Sequence, residues 1–185
     1  MIICIGGKSG SGKSTLAKKL VQENKNAVWL DIDKVGHNAL TVDAVKKELV
    51  KCFGTSILDE EKINRKKLGE IVFDSHKEMD KLTDITWKYM QEEIDAFLDE
   101  NKDKLIILDW LLLPSTKYFD LCDIKILLDI PYEVRKQRAM ARDGIDEEAF
   151  DLREKASVNF DASKFDFVLN ENNFDEVKRL VKIYE

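Results

Sequence analysis

No stretch of this sequence approaches the ~18 consecutive apolar residues that a membrane-spanning helix needs, and the opening apolar run, Ile2 to Ile5, is too short for the core of a signal peptide. No membrane partner is therefore expected. An excess of positive charge is missing too: 36 Asp and Glu outweigh 30 Lys and Arg, for a formal net charge of −6. Such an acidic chain is poorly suited to nonspecific nucleic-acid binding, so an anionic ligand must be met by locally clustered Lys and Arg. Cysteine is scarce: Cys4, Cys52 and Cys122 are odd in number and lack C-x-x-C spacing. That usage argues against a disulfide framework and suits buried free thiols in a reducing cytoplasm, the expected location. Repeats and low-complexity segments are absent. At 185 residues the chain suits one domain with room for an insertion, not a second full domain.

What is present is a globular composition, 44% hydrophobic and 36% charged, and one stretch around which the rest is organised. The run Ile2–Ile5 leads into Gly7-Lys8-Ser9-Gly10-Ser11-Gly12-Lys13-Ser14-Thr15 and then into Leu16, Ala17, Leu20 and Val21. This is G-x-x-x-x-G-K-[ST] between an apolar strand and an amphipathic helix, the setting that gives the motif its meaning. Successive backbone N–H groups there curl around a phosphate at the helix's positive end. Gly10, Ser11, Gly12, Lys13, Ser14 and Thr15 are expected to form this cradle for ATP. Lys13 reaches the β- and γ-phosphates, the Ser14 hydroxyl ligates Mg²⁺, and Thr15 opens the helix near the α-phosphate.

Downstream, Ala27 to Leu30 predicts a second strand that delivers Asp31 and Asp33 at its carboxyl end, where open α/β sheets bind ligands. Two apart on a strand, both carboxylates point the same way, so one can orient a hydroxyl while the other holds Mg²⁺ through water. Residues 41–104 carry helical periods and almost no strand signal, predicting a helical insertion. Within it, Gly54 caps one helix and Asn64 starts another whose first turn, Arg65-Lys66-Lys67, is basic. Leu105 to Leu108 followed by Asp109 has the form of a Walker B strand, whose carboxylate holds Mg²⁺ through water. A further buried strand, Ile124 to Leu128, leads through Pro131 into a helix carrying Arg135, Arg138 and Arg142. Arg138 and Arg142 share a face, and two adjacent guanidinium groups match a phosphate chain because each donates bidentate bonds. Phe165 to Leu169 predicts the last strand, ending at Asn170. Strands alternating with helices after such a loop imply a central parallel sheet covered on both faces.

Taken in order, these segments resemble the dephospho-CoA kinase family over nearly the whole chain. The glycine-rich loop matches, Asp31-Ile32-Asp33-Lys34-Val35-Gly36-His37 is similar to the family's D-x-D-x-[IV]-x-H, and Phe53-Gly54, Ile63-Asn64-Arg65, Leu68 and Val72-Phe73 follow its F-G … [IL]-D-R-x-x-L-x-x-x-[IV]-F. Arg138 through Arg142-Asp143-Gly144 resembles its lid motif. The resemblance implies an α/β P-loop kinase, a three-layer sandwich with a helical CoA-binding insertion and an arginine-bearing lid near 138–160, in a single domain spanning 1–185. It implies transfer of the γ-phosphoryl of ATP to the ribose 3′-hydroxyl of dephospho-CoA, with Mg²⁺. Asp33 falls on the catalytic aspartate, Arg65 in the substrate-binding region, and Asn170 near the adenine end of the nucleotide site. The chain departs from the pattern at Trp87-Lys88, at Trp110 to Pro114 and near Ser157, where a lid glutamine is missing. Two other functions remain open: a kinase for another nucleoside or small metabolite, and a nucleotide-binding regulatory module without transfer. Arg138, Arg142 and Asp33 argue against the module, since simple ATP binding needs none of them.

Overall fold

A computed structural model describes residues 1–72, 75–155, 157–171 and 173–184, and of His76, Ile183 and Tyr184 only the backbone; Phe73, part of the family-like pattern, lies outside the described residues. In chain order the elements are Ile2–Gly6 (β1), Lys13–Glu23 (α1), Ala27–Asp31 (β2), Ile32–Ala39 (α2), Asp43–Phe53 (α3), Leu58–Asp59 (β3), Lys62–Ile63 (β4), Arg65–Val72 (α4) and His76–Glu100 (α5). Then come Leu105–Asp109 (β5), Lys117–Asp120 (α6), Ile124–Leu128 (β6), Tyr132–Asp143 (α7), Glu147–Lys155 (α8), Phe167–Leu169 (β7) and Phe174–Tyr184 (α9). Among the described residues no helix is long and apolar enough to cross a membrane.

The chain divides into two compact units, one of Met1–Asp31 with Asn101–Glu185 and one of Ile32–Glu100. The first unit is built on a five-stranded, all-parallel sheet in the order β2-β5-β1-β6-β7. Apolar runs with little alternation dictate this, because a parallel sheet is covered on both faces. On one face Ile3, Ile5, Ile107, Ile126 and Leu128 form a core with Leu16, Ala17 and Leu20 of α1 and Val177 and Val181 of α9. On the other, Cys4, Ile106, Leu108 and Leu127 are buried as well. Strands consecutive in sequence are usually neighbours, but β5 stands between β1 and β2. All five residues of β5 are buried, whereas four of the five in β2 are only partly so. The fully buried strand takes an interior place beside β1 and the partly exposed one takes the edge.

One correction concerns Asp33. The strand stops at Asp31 and α2 begins at Ile32, so Asp33 stands in a helix's first turn and not at a strand end. The strand alternation that would turn Asp31 and Asp33 the same way therefore stops at Asp31. The first turn favours an acid there through the helix dipole.

The helical unit starts at Ile32 and ends at Glu100, against the expected bounds near 41 and 104, because α2 packs along α5. The two meet at Gly36, where even a Cβ would stand in ordinary contact, 3.4 Å from the Met90 Cε. Val45, Leu49, Ile57, Leu68 and Val72 make its core, with Met79, Leu82, Ile85 and Tyr89 of α5 against them. The unit also holds a small antiparallel hairpin, Leu58 opposite Ile63 and Asp59 opposite Lys62, turning through Glu60 at φ 55°. Strands of two residues are too short to show alternation, which is why the helical reading of this stretch missed them. Asn64 does start α4, its Oδ1 accepting from the Lys66 and Lys67 amides at 3.0 and 3.1 Å.

Candidate active site

The turn from β1 to α1 is one that side chains other than hydrogen resist. Gly7, Gly10 and Gly12 have φ of 146°, 79° and 92°, the left-handed side of backbone space. Gly12 caps α1 without any side-chain cap hydrogen bond, and the first turn of α1 carries no acidic residue. The helix itself supplies no acid at its positive end, which favours a phosphate there. Ser11 is fully buried in the loop, and its Oγ has no hydrogen-bond partner among the described residues. A loop with an orphaned hydroxyl and a helix start without an acid fits the phosphates of a nucleotide.

Ser14 Oγ donates to Asp109 Oδ2 at 2.6 Å. The strand order produces this contact. Pairing of β1 with β5 sets Ile5 beside Asp109, and pairing of β5 with β2 sets Asp109 beside Asp31, so the two carboxylates end neighbouring strands. Asp109 is 3% exposed. A buried carboxylate against a hydroxyl at a phosphate-binding helix start fits Mg²⁺. That ion typically keeps its waters and binds through one or two carboxylates plus substrate phosphates rather than in an all-protein cage. Among the described residues no cluster of three or more His, Cys, Asp or Glu offers such a cage.

Helices α7 and α8 are joined by Lys136 with Glu147 at 2.7 Å and by the Tyr132 hydroxyl with Asp151. Arg142 donates to both oxygens of Asp143, at 2.7 and 2.9 Å, and reaches Ser9 Oγ of the loop at 3.5 Å. Arg153 shares Asp143 at 2.6 Å. Arg142 and then Arg153 hold the Asp143 carboxyl down to about 2. Arg138 is exposed, as is Asn170 at the end of β7. In the helical unit, Arg65 Nη2 meets His37 Nε2 at 2.8 Å.

One cluster at the loop, of Arg135, Glu154 and Lys8, has no counterpart in the sequence motifs. Arg135 pairs through both terminal nitrogens with Glu154, at 2.8 and 2.9 Å, and Lys8 joins the same carboxylate at 2.9 Å. Arg135, with Lys8 second, depresses the Glu154 carboxyl to about 2. The partners are distant in sequence, and only the guanidinium of Arg135 gave any signal.

A family model described as dephospho-CoA kinase matches residues 1–176. The chain belongs to the dephospho-CoA kinase family. It is 37% identical over 190 residues to the dephospho-CoA kinase of Aquifex aeolicus, covering 99% of this chain and 95% of that one. Among solved structures, the dephospho-CoA kinase from Campylobacter jejuni superposes with a TM-score of 0.63 at 25% identity, over 99% of this chain and 94% of that one. A crystal structure from Thermus thermophilus has the same fold, with a TM-score of 0.85 at 23% identity over 100% and 97% of the two chains. Within this dephospho-CoA kinase family member the departures stand in ordered places: Trp87 and Lys88 lie inside α5, and Trp110, 8% exposed, directly follows Asp109.

Two outcomes follow from this geometry. A Cβ on Gly10 would press into the Arg135 backbone, with the Arg135 Cα only 2.9 Å away, whereas Gly144, also left-handed at φ 64°, faces open space. Gly144→Ala is expected to lose about 1 kcal/mol from left-handed strain, and Gly10→Ala about 1–3 kcal/mol more from overpacking, read by denaturant unfolding. Equal losses would contradict the packed loop. The ionised Glu154 is the bonded form, so its contribution to stability is complete above the ordinary value of 4.5 and disappears as pH falls toward about 2. Thermal unfolding should therefore show Glu154→Gln below wild type at neutral pH, with the gap closing between those two pH values. A constant gap would show that the ion pair is not its source.

Proposed function

We propose that the chain carries out its family's reaction, ATP-dependent phosphorylation of dephospho-CoA to give CoA, with the labour divided among the residues above. The observation that carries the assignment is the uncapped, glycine-lined start of α1 with Ser14 bonded to a buried Asp109, in a chain matched by the family over residues 1–176. Gly10, Ser11, Gly12, Ser14 and Thr15 cradle the phosphates of ATP, and Lys13 neutralises charge on the transferring group. Ser14 and Asp109 are the residues that hold Mg²⁺, whose contribution when bound is to offset charge spread over the β- and γ-phosphate oxygens. Arg142, already beside Ser9, and Arg138 one helical turn before it supply guanidinium groups to the phosphates from the lid. Asn170 borders the adenine end. In the helical unit, Arg65 binds the acceptor with its guanidinium oriented by His37.

Asp33 receives the proton. The ribose 3′-oxygen forms its bond to the γ-phosphorus as the bond from that phosphorus to the β–γ bridging oxygen breaks, ADP leaves, and the hydroxyl proton passes to the Asp33 carboxylate. In a loose transition state this base acts late, and its main service is orientation. A cytoplasmic location is supported by the free thiols of Cys4, Cys52 and Cys122, of which Cys52 is exposed.

Coupled ADP release with a panel of acceptors tests the assignment. Release only when dephospho-CoA is present is expected. Release with a nucleoside instead would move the acceptor elsewhere, and tight ATP binding without release to any acceptor would make the chain a binding module. In the same assay Asp33→Asn should lower turnover by ~10²-fold or more with ATP affinity kept; intact turnover would remove Asp33 from the chemistry.

A further inference from the structure

The phosphate loop is gripped from outside the phosphate site. Arg135, in the first turn of α7, is only 6% exposed. Its Nε donates to the Ile130 carbonyl at 2.9 Å, and its Nη1 reaches the Ser9 carbonyl of the loop at 3.4 Å in addition to Glu154. Lys8, the loop residue before Ser9, donates to Glu154 Oε1 at 2.9 Å and to Asn159 Oδ1 at 3.4 Å. Gly10, the residue after, has its backbone against that of Arg135. Two successive loop residues, Lys8 and Ser9, thus rest on one ion pair contributed by α7 and α8, and Gly10 packs on the Arg135 backbone beside it. None of these contacts involves Lys13, Ser14 or Asp109.

We propose that Arg135 and Glu154 are a positioning pair for nucleotide binding: they set the path of Lys8–Gly10 and couple it to the lid helices. This rests on the loop being the ATP site. The physical argument starts from the planar trans peptide, in which C=O and N–H point in opposite directions. Anchoring the Ser9 carbonyl on Arg135 turns the Gly10 N–H away from Arg135, and anchoring Lys8 on Glu154 fixes the preceding residue. A guanidinium fork on a carboxylate tolerates little displacement, so the anchors move only with α7 and α8, the helices that carry Arg142 and Arg153. Stability alone is a poor reason for such a pair. Well-packed apolar residues usually replace a buried ion pair without loss, whereas removing one partner alone is strongly destabilising.

That asymmetry separates the two roles. The full-length double variant Arg135→Met/Glu154→Leu is compared with wild type by thermal unfolding, calorimetric titration with Mg·ATP, and KM for each substrate. The double variant should melt close to wild type, bind Mg·ATP ~10-fold or more weakly, since small misplacements of a binding element carry penalties of this size or larger, and keep its KM for dephospho-CoA. Unchanged Mg·ATP affinity and KM for ATP in a folded double variant would overturn the proposal. If the double variant does not fold, Arg135→Lys, which keeps the charge and loses the fork, takes its place with the same expected and overturning results. Failure of wild type itself to bind Mg·ATP would defeat the reading of the loop as a nucleotide site, an outcome distinct from a variant that binds as well as wild type.

Discussion

A helix that begins at a left-handed glycine, with no capping side chain and no acid of its own in the first turn, favours an anion at its positive end. That constraint governs the first unit. The left-handed glycines bend β1 directly into α1, α1 itself carries no acid in its first turn, and the buried Ser11 hydroxyl adds a polar atom without a hydrogen-bond partner among the described residues. Such a loop is held in shape by its surroundings as much as by its own sequence. On one side β5 brings Asp109 to Ser14; on the other Arg135 and Glu154 hold Lys8 and Ser9.

Strand order is what makes the loop and the carboxylate one site. Placing β5 between β1 and β2 sets Asp109 at the register position beside Ile5, one strand from the loop, and Asp31 beyond it. An order with β2 next to β1 would give that place to Asp31. The sheet therefore decides which acid meets the loop, and it does so through burial: the fully buried strand lies inside the sheet beside β1, and the partly exposed one lies at the edge.

Local chemistry was legible in the sequence and long-range pairing was not. The glycine pattern, the apolar strand ending in Asp109, the Asn64 start of α4 and the paired arginines of α7 all follow from rules that act over a few residues. The position of β2 at the sheet edge depends on comparing the burial of strands far apart in the chain. The end of β2 at Asp31 was missed because Asp-Ile-Asp reads equally as strand alternation or as an acidic first turn of a helix. Glu154 had no signal at all: on α8 it is one acid in a charged helix, and only the fold turns it toward Arg135 and Lys8. The helical unit has its own logic, a core of apolar stripes around α5, with Asp33 in the first turn of α2 and Arg65 in that of α4.

The central claim is that Ser14 and Asp109 form the part of the nucleotide site that holds the metal. Calorimetric titration of ATP with and without Mg²⁺, on wild type and on Asp109→Asn, tests it most directly. Asn keeps the shape and can still accept the Ser14 hydrogen bond, but it lacks the negative charge. Wild type should bind ATP more tightly when Mg²⁺ is present, and the variant should lose that increment while its affinity for metal-free ATP is unchanged or higher. An equal Mg²⁺-dependent gain in both proteins would contradict the claim.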